Sequence, residues 1–214
     1  MATTTTLGYD DLPALLTRLT GDEKHDRSSL STLDVLWVLY DRVLRDEDRF
    51  LLSKGHGPAA FYAVLAAKGI VPVDALDGFG SFESPLGYHP DRVLVPGVEI
   101  SSGSLGHGLG VAVGAALMGR RIFCLVGDAE LDEGSNWEAV QYAGRLGLSS
   151  LTAIVVDNDS AWHGWPEGIE RRFMLEGWAA LRVDGRDHDA LEAALQPAPE
   201  ANRPRCVVAE VETK

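Results

Sequence analysis

"LVGDAELDEGSNWEAVQYAGRLGLSSLTAIVVDN", residues 125–158, holds the pattern that decides the fold. An apolar run ends in an acidic turn, a helical stretch closed by Gly147 follows, and a second apolar run stops at Asn158. Short apolar runs without polar alternation, joined through a helix, are the pattern of strands buried on both faces of a parallel sheet. Strands are therefore expected over 121–127 and 151–157, with a helix over 133–147 that ends on a glycine suited to a C-cap.

The same alternation continues outward. Toward the C-terminus, 177–185 has the pattern of a strand with a turn, 187–196 of a capped helix and 205–211 of a last strand. Toward the N-terminus, Leu33, Leu36, Trp37, Tyr40, Val43 and Leu44 recur at helical spacing within 29–44, behind a Ser/Thr start. Residues 57–69 read as a helix with Pro58 near its first turn and Gly69 past its end. Residues 103–119 read as a helix of mostly small residues, able to pack closely against a sheet or another chain. Between these two, 70–100 is rich in Pro, Gly and Asp and lacks periodicity, and long ordered loops of this kind are often functional. Apolar strands alternating with helices define the expected class: α/β, a three-layer parallel sheet with helices on both faces.

Composition bounds the chemistry. A chain of 214 residues suits one domain with a substantial core. A formal net charge of −13 removes the basic footprint of a nucleic-acid binder, so no nucleic-acid partner is expected. A phosphate-bearing ligand would need a metal ion or aimed N–H groups, because bulk positive charge is lacking. No apolar run reaches the length of a membrane span, and "MATTTTLGYDD" lacks the basic and apolar regions of a secretory signal. A cytoplasmic protein without membrane contact is the expectation. Cys124 and Cys206 lie in apolar runs and read as buried free thiols in a reducing compartment.

Ligands of a parallel α/β sheet bind beyond the carboxyl ends of its strands. Asp128 and Asn158 each follow such an end. If those strands are neighbours, both side chains face one crevice. One carboxylate and one amide oxygen suit Mg²⁺, which takes further oxygens from phosphate and water, and the "GDAE" turn (127–130) leads N–H groups to the same place. The pair then forms a metal–diphosphate clamp. A structural alternative stands beside it: Asp128 caps the helix starting near Glu133, and Asn158 closes a turn.

The segment resembles the thiamine diphosphate signature, Gly-Asp-Gly followed some thirty residues on by Asn, here Gly127-Asp128-Ala129 and Asn158. Four further stretches are similar to transketolase in its cofactor-diphosphate domain. They are "DRFLLSKGHGPAAFYAVLAAKG" (48–69), "GYHPD" (87–91), "PGVEISSGSLGHGLGVAVGAALMG" (96–119) and "GDAELDEGSNWEA" (127–139). Order and distances agree over roughly residues 25 to 212.

The resemblance implies thiamine diphosphate and Mg²⁺ (or Ca²⁺) as cofactors, with Asp128, Asn158 and the Ser160 carbonyl on the metal. It implies Gly103, Leu105, Gly127 and Ala129 along the diphosphate and thiazolium. His56 would touch the diphosphate and help the reacting centre, and His89 would face substrate oxygens. His25 would be the N-terminal substrate histidine, and Glu133 part of a carboxylate network at the subunit interface. Its organisation would be an extension with a helix over 1–24 and one diphosphate-binding domain over 25–214. On this reading the pyrimidine-binding and C-terminal domains would be absent from it. The implied protein is the N-terminal subunit of a split transketolase. It would join a separate partner subunit in an α2β2 assembly that works on sugar phosphates. Three departures bear on this. Ala129 replaces the second Gly of the signature, "EKHDR" (23–27) replaces Ser-Gly-His-Pro-Gly, and the chain ends at "VETK". They leave two other possibilities: a non-catalytic binding or regulatory relative, and a subunit of another thiamine diphosphate enzyme, a decarboxylase or 2-oxoacid dehydrogenase. A dinucleotide fold is set aside because "GHGLGVAVG" (106–114) lacks the GxGxxG spacing.

Overall fold

Five strands build one parallel sheet in the order β1-β2-β3-β5-β4: β1 (Arg49–Leu52), β2 (Ile122–Gly127), β3 (Leu151–Asp157), β4 (Ala179–Asp184) and β5 (Arg205–Glu210). The computed structural model describes residues 7–19, 26–196 and 202–212. The helices are α1 (Leu12–Leu16), α2 (Asp26–Leu30), α3 (Leu33–Val38), α4 (Ala59–Ala67), α5 (Gly108–Ala116), α6 (Gly134–Leu146), α7 (Ile169–Leu175) and α8 (His188–Leu195).

Successive strand side chains point to opposite faces, so each central strand feeds two cores. Phe123, Leu125, Ile154, Val156 and Val207 pack with α1, α3, α4 and α8; Cys124, Val126, Ala153, Val155 and Val208 pack with α5, α6 and α7. The chain crosses from β2 to β3 to β4 in one sense and returns from β4 to β5 in the other. Right-handed crossovers then place α6 and α7 on one face and α8 on the opposite one, as the two cores show.

Four elements differ from the sequence expectation. β1 and α7 have no expected counterpart. The helix expected from 103 begins at Gly108, because Gly103 (φ +138°) and Gly106 (φ +84°) hold the preceding loop outside helical space. The helix expected over 29–44 is interrupted between α2 and α3 and widens to a π turn over Leu39–Val43. At the interruption, the Ser31 and Thr32 hydroxyls donate back to the carbonyls of Ser28 and Ser29 at 2.7 Å each, a local bond that competes with the helix ladder.

Candidate active site

β2 and β3 are hydrogen-bonded neighbours, with Gly127 opposite Val156, so Asp128 and Asn158 leave adjacent carboxyl ends. The Asp128 N–H extends the ladder to the Val156 carbonyl at 3.0 Å. Both side chains are buried, Asp128 at 0% exposure and Asn158 at 1%. Asp159 turns the chain sharply at φ +55°. That brings the loop back onto Asp128, whose carboxylate accepts from the N–H groups of Ser160 (2.5 Å) and Ala161 (2.9 Å) and from Ser160 Oγ (2.6 Å). Asp128 therefore does not cap α6, whose N-terminus is preceded by Glu133 with no side-chain cap. Asn158 Nδ2 donates to Ser31 Oγ at 3.4 Å, while its Oδ1 is buried without a hydrogen-bond partner. Such an orphan costs about 1–3 kcal/mol, which a bound cation would offset. Ala129 opens a 3-10 turn (Ala129–Asp132) and is not among the positive-φ residues, so alanine meets no strain where the signature has glycine.

The end of β1 closes the second side. Gly55 lies so close to the 101–103 loop that a Cβ there would stand 2.5 Å from Ser102 Oγ, itself buried without a partner. The His56 and His89 rings meet edge to face with centroids 5.2 Å apart. Gly103 passes directly under His89, where a Cβ would be 2.6 Å from the ring. Lys54 is buried; its Nζ donates to the Ser28 carbonyl (2.6 Å) and hydroxyl (2.7 Å), and its stem lies along Gly127. Glu130 accepts a short hydrogen bond from Ser53 Oγ and bonds from the N–H groups of Gly106 (3.0 Å) and Gly127 (3.3 Å). Burial pushes its carboxyl pKa up, against the pull of those donors and of the Lys54 charge.

The fold thus sets Asp128, with Ser160 on its carboxylate, and Asn158 at the ends of adjacent strands, and gathers His56, His89 and Gly103 at a second point. Gly127 ends β2 opposite Val156 of β3, and Ala129 begins the 3-10 turn that follows. Leu105 is half-buried in the loop before α5, and Glu133 is exposed at the start of α6. His25 lies outside the described residues. His188, at the start of α8, is half-buried and pairs through Nε2 with Asp34 at 2.7 Å, because α8 packs its N-terminus on α3. His107 and His163 are exposed. Trp162 is 87% exposed, whereas Trp165 packs on Trp137 beside the Arg172 guanidinium. Sequence reasoning missed Ser53, Lys54 and Glu130. The only available signal was their place inside the "SKGH" and "GDAEL" stretches, since no periodicity marks them.

Residues 25–213 match the family described as transketolase, thiamine diphosphate binding domain. Among curated relatives, a Rhodococcoides fascians protein named ferredoxin fas2 is 52% identical over 97% of this chain and 73% of its own length. An apulose-4-phosphate transketolase subunit of Actinobacillus succinogenes is 34% identical over 86% of this chain and 75% of that one. Transketolase from Leishmania mexicana superposes with a TM-score of 0.80 at 26% identity, covering 96% of this chain but only 37% of that enzyme. An iron–sulfur cluster takes four thiolates or a mixed set with histidine; the two cysteines here are buried on separate strands, so these 214 residues supply no ferredoxin centre. By the family match and by its relatives, the chain belongs to the transketolase family, in its thiamine diphosphate binding domain.

Proposed function

We propose that this chain is the diphosphate-holding subunit of a split transketolase-type transferase, moving a two-carbon ketol unit between sugar phosphates together with a separate partner subunit. The observation that carries the reading is the unpartnered, buried Asn158 Oδ1 past the end of β3, the strand next to the one that Asp128 follows. Mg²⁺ or Ca²⁺ suits that pair and would draw its remaining oxygens from the Ser160 carbonyl, the diphosphate and water. The main chain at Gly103, Leu105, Gly127 and Ala129 would line thiamine diphosphate, with His56 on the diphosphate. Bound there, the cofactor supplies carbanion-stabilising chemistry. His56 and His89, in ring contact, would hold and move protons at substrate hydroxyl and carbonyl oxygens, because imidazole titrates near neutral pH. The motif order gives His25 the same task.

The partner would carry the pyrimidine-binding and C-terminal domains, including the glutamate that activates the cofactor, and the assembly would be α2β2. Residues 25–214 would be the diphosphate-binding domain, with 1–24 as its extension. Glu133 would sit in the carboxylate network at the junction. The exposed face of α5 and α6 is the proposed contact. Val111, Leu117 and Tyr142 are exposed there, and a Cβ at Gly110 or Gly114 would meet nothing within 4 Å. No described helix is long and apolar enough to cross a membrane, and both thiols are free; we place the protein in a reducing cytoplasm.

Pull-down of the tagged chain from its host tests the reading. A stoichiometric partner of about 300 residues, with thiamine diphosphate released on denaturation and ketol transfer by the complex, is expected. A chain recovered alone and without cofactor would overturn it. Asp128→Ala is expected to abolish metal-dependent cofactor binding by the complex; undiminished binding would sink the clamp.

A further inference from the structure

Glu130 is 1% exposed, and burying a carboxylate is costly unless it is fully hydrogen-bonded. Its partners come from three separate segments: Ser53 at the end of β1, Gly106 in the loop before α5 and Gly127 at the end of β2. Ser53 Oγ passes the link on by accepting from the Gly108 N–H at 3.0 Å, and Asn136 Nδ2 anchors the Glu130 carbonyl at 2.7 Å. The approach is close. A Cβ at Gly106 would stand 2.4 Å from Ser135 Oγ, and one at Gly108 would stand 2.3 Å from Ser53 Cβ. The loop can therefore occupy that place only with glycine at 106 and 108.

We propose that Glu130 is a positioning residue of the cofactor site, whose carboxylate sets the spacing of the three segments carrying His56, Gly103, Leu105 and Gly127. The inference rests on the function proposed above. It assigns Glu130 no contact with cofactor or substrate. Its effect runs through the main-chain N–H groups, because a shift of the 103–108 loop relative to β2 moves both walls of the diphosphate pocket.

The test uses the complex isolated with its partner, titrated with thiamine diphosphate and Mg²⁺ by calorimetry, with thermal unfolding followed in parallel. Glu130→Gln retains one oxygen for Ser53 and Gly106 but turns an amide N–H₂ toward the Gly127 N–H. Glu130→Ala removes every bond. Cofactor affinity is expected to fall about tenfold in Glu130→Gln and about 100-fold in Glu130→Ala, the range for residues that orient a binding shell. At saturating cofactor, the kcat of Glu130→Gln should stay within about threefold of wild type. A purely structural role would lower the melting temperature and leave the affinity of the folded complex unchanged, and affinity within twofold of wild type in Glu130→Gln overturns the proposal. Should Glu130→Ala not fold, the glutamine variant alone decides. Asp128→Ala separates the two claims: if it loses cofactor while Glu130→Gln does not, only the positioning role falls; if neither loses it, the site assignment falls too.

Discussion

At the scale of single residues, environment decides chemistry. Cys124 and Cys206 both lie opposite Ala153 of β3, one on each side, in the core under α5, α6 and α7. Burial pushes both thiols well above the usual cysteine range, so neither is a nucleophile at neutral pH. A thiol reagent such as DTNB is expected to modify neither cysteine in the native protein and to release two equivalents in denaturant; a rapid native reaction at either would show that this core opens. Asp128 meets the opposite fate. It is equally buried, yet three donors from the 160–161 loop hold its carboxyl in place at the site proposed for a cation. Ala129 removes one reason to favour a non-catalytic relative, since its backbone needs no glycine.

At the scale of elements, packing overrides propensity. Gly144 sits inside α6, where alanine would gain about 1 kcal/mol of helix propensity. A Cβ there would stand 1.7 Å from the Glu176 carbonyl, a backbone atom that cannot rotate away. Gly144→Ala is therefore expected to lose about 2–3 kcal/mol net in denaturant unfolding; a gain in stability would mean that the turn after α7 shifts freely. Trp178 follows that turn, with its ring edge to face on Phe173 and its indole N–H on the Val140 carbonyl at 2.8 Å, so the contact couples α6, α7 and β4.

At the scale of the whole molecule, one polar cluster joins the chain's distant parts. Asp34 on α3 accepts from Tyr9 Oη (2.5 Å) and Arg186 (2.5 Å) and pairs with His188 (2.7 Å), while Arg186 also holds Glu212. Burial would raise the Asp34 carboxyl, but the bonds from Tyr9, His188 and Arg186 outweigh it and hold the group below the usual range. Burial and the bond to Asp34 push the Tyr9 phenol up to about 12. A depressed carboxyl contributes stability that is complete above its unfolded value, about 3.9, and is lost as pH falls through the folded one. Unfolding free energy should thus fall as the pH drops below about 4, and Asp34→Asn should flatten that slope; an unchanged slope would place the acid sensitivity elsewhere. The cluster lies on the face opposite α5 and α6, clear of the proposed partner contact.

The residues 125–158 by themselves determined a two-faced parallel sheet and two oxygen-bearing side chains beyond its strands, because burial on both faces demands unbroken apolar runs and strand ends are set locally. The helices at 133–147 and 187–196 were legible from a local signal at one end of each, Gly147 closing the first and the Asp187 cap opening the second. Only the tertiary structure decided the strand order, and with it that Asp128 and Asn158 are neighbours. Likewise β1 has four residues, too few for any period to declare itself. Glu130 finds Ser53 across 77 residues, and Asn158 finds Ser31 across 127. Such partners meet through packing of the sheet and its helices, and no local pattern in the chain encodes a contact between segments so far apart.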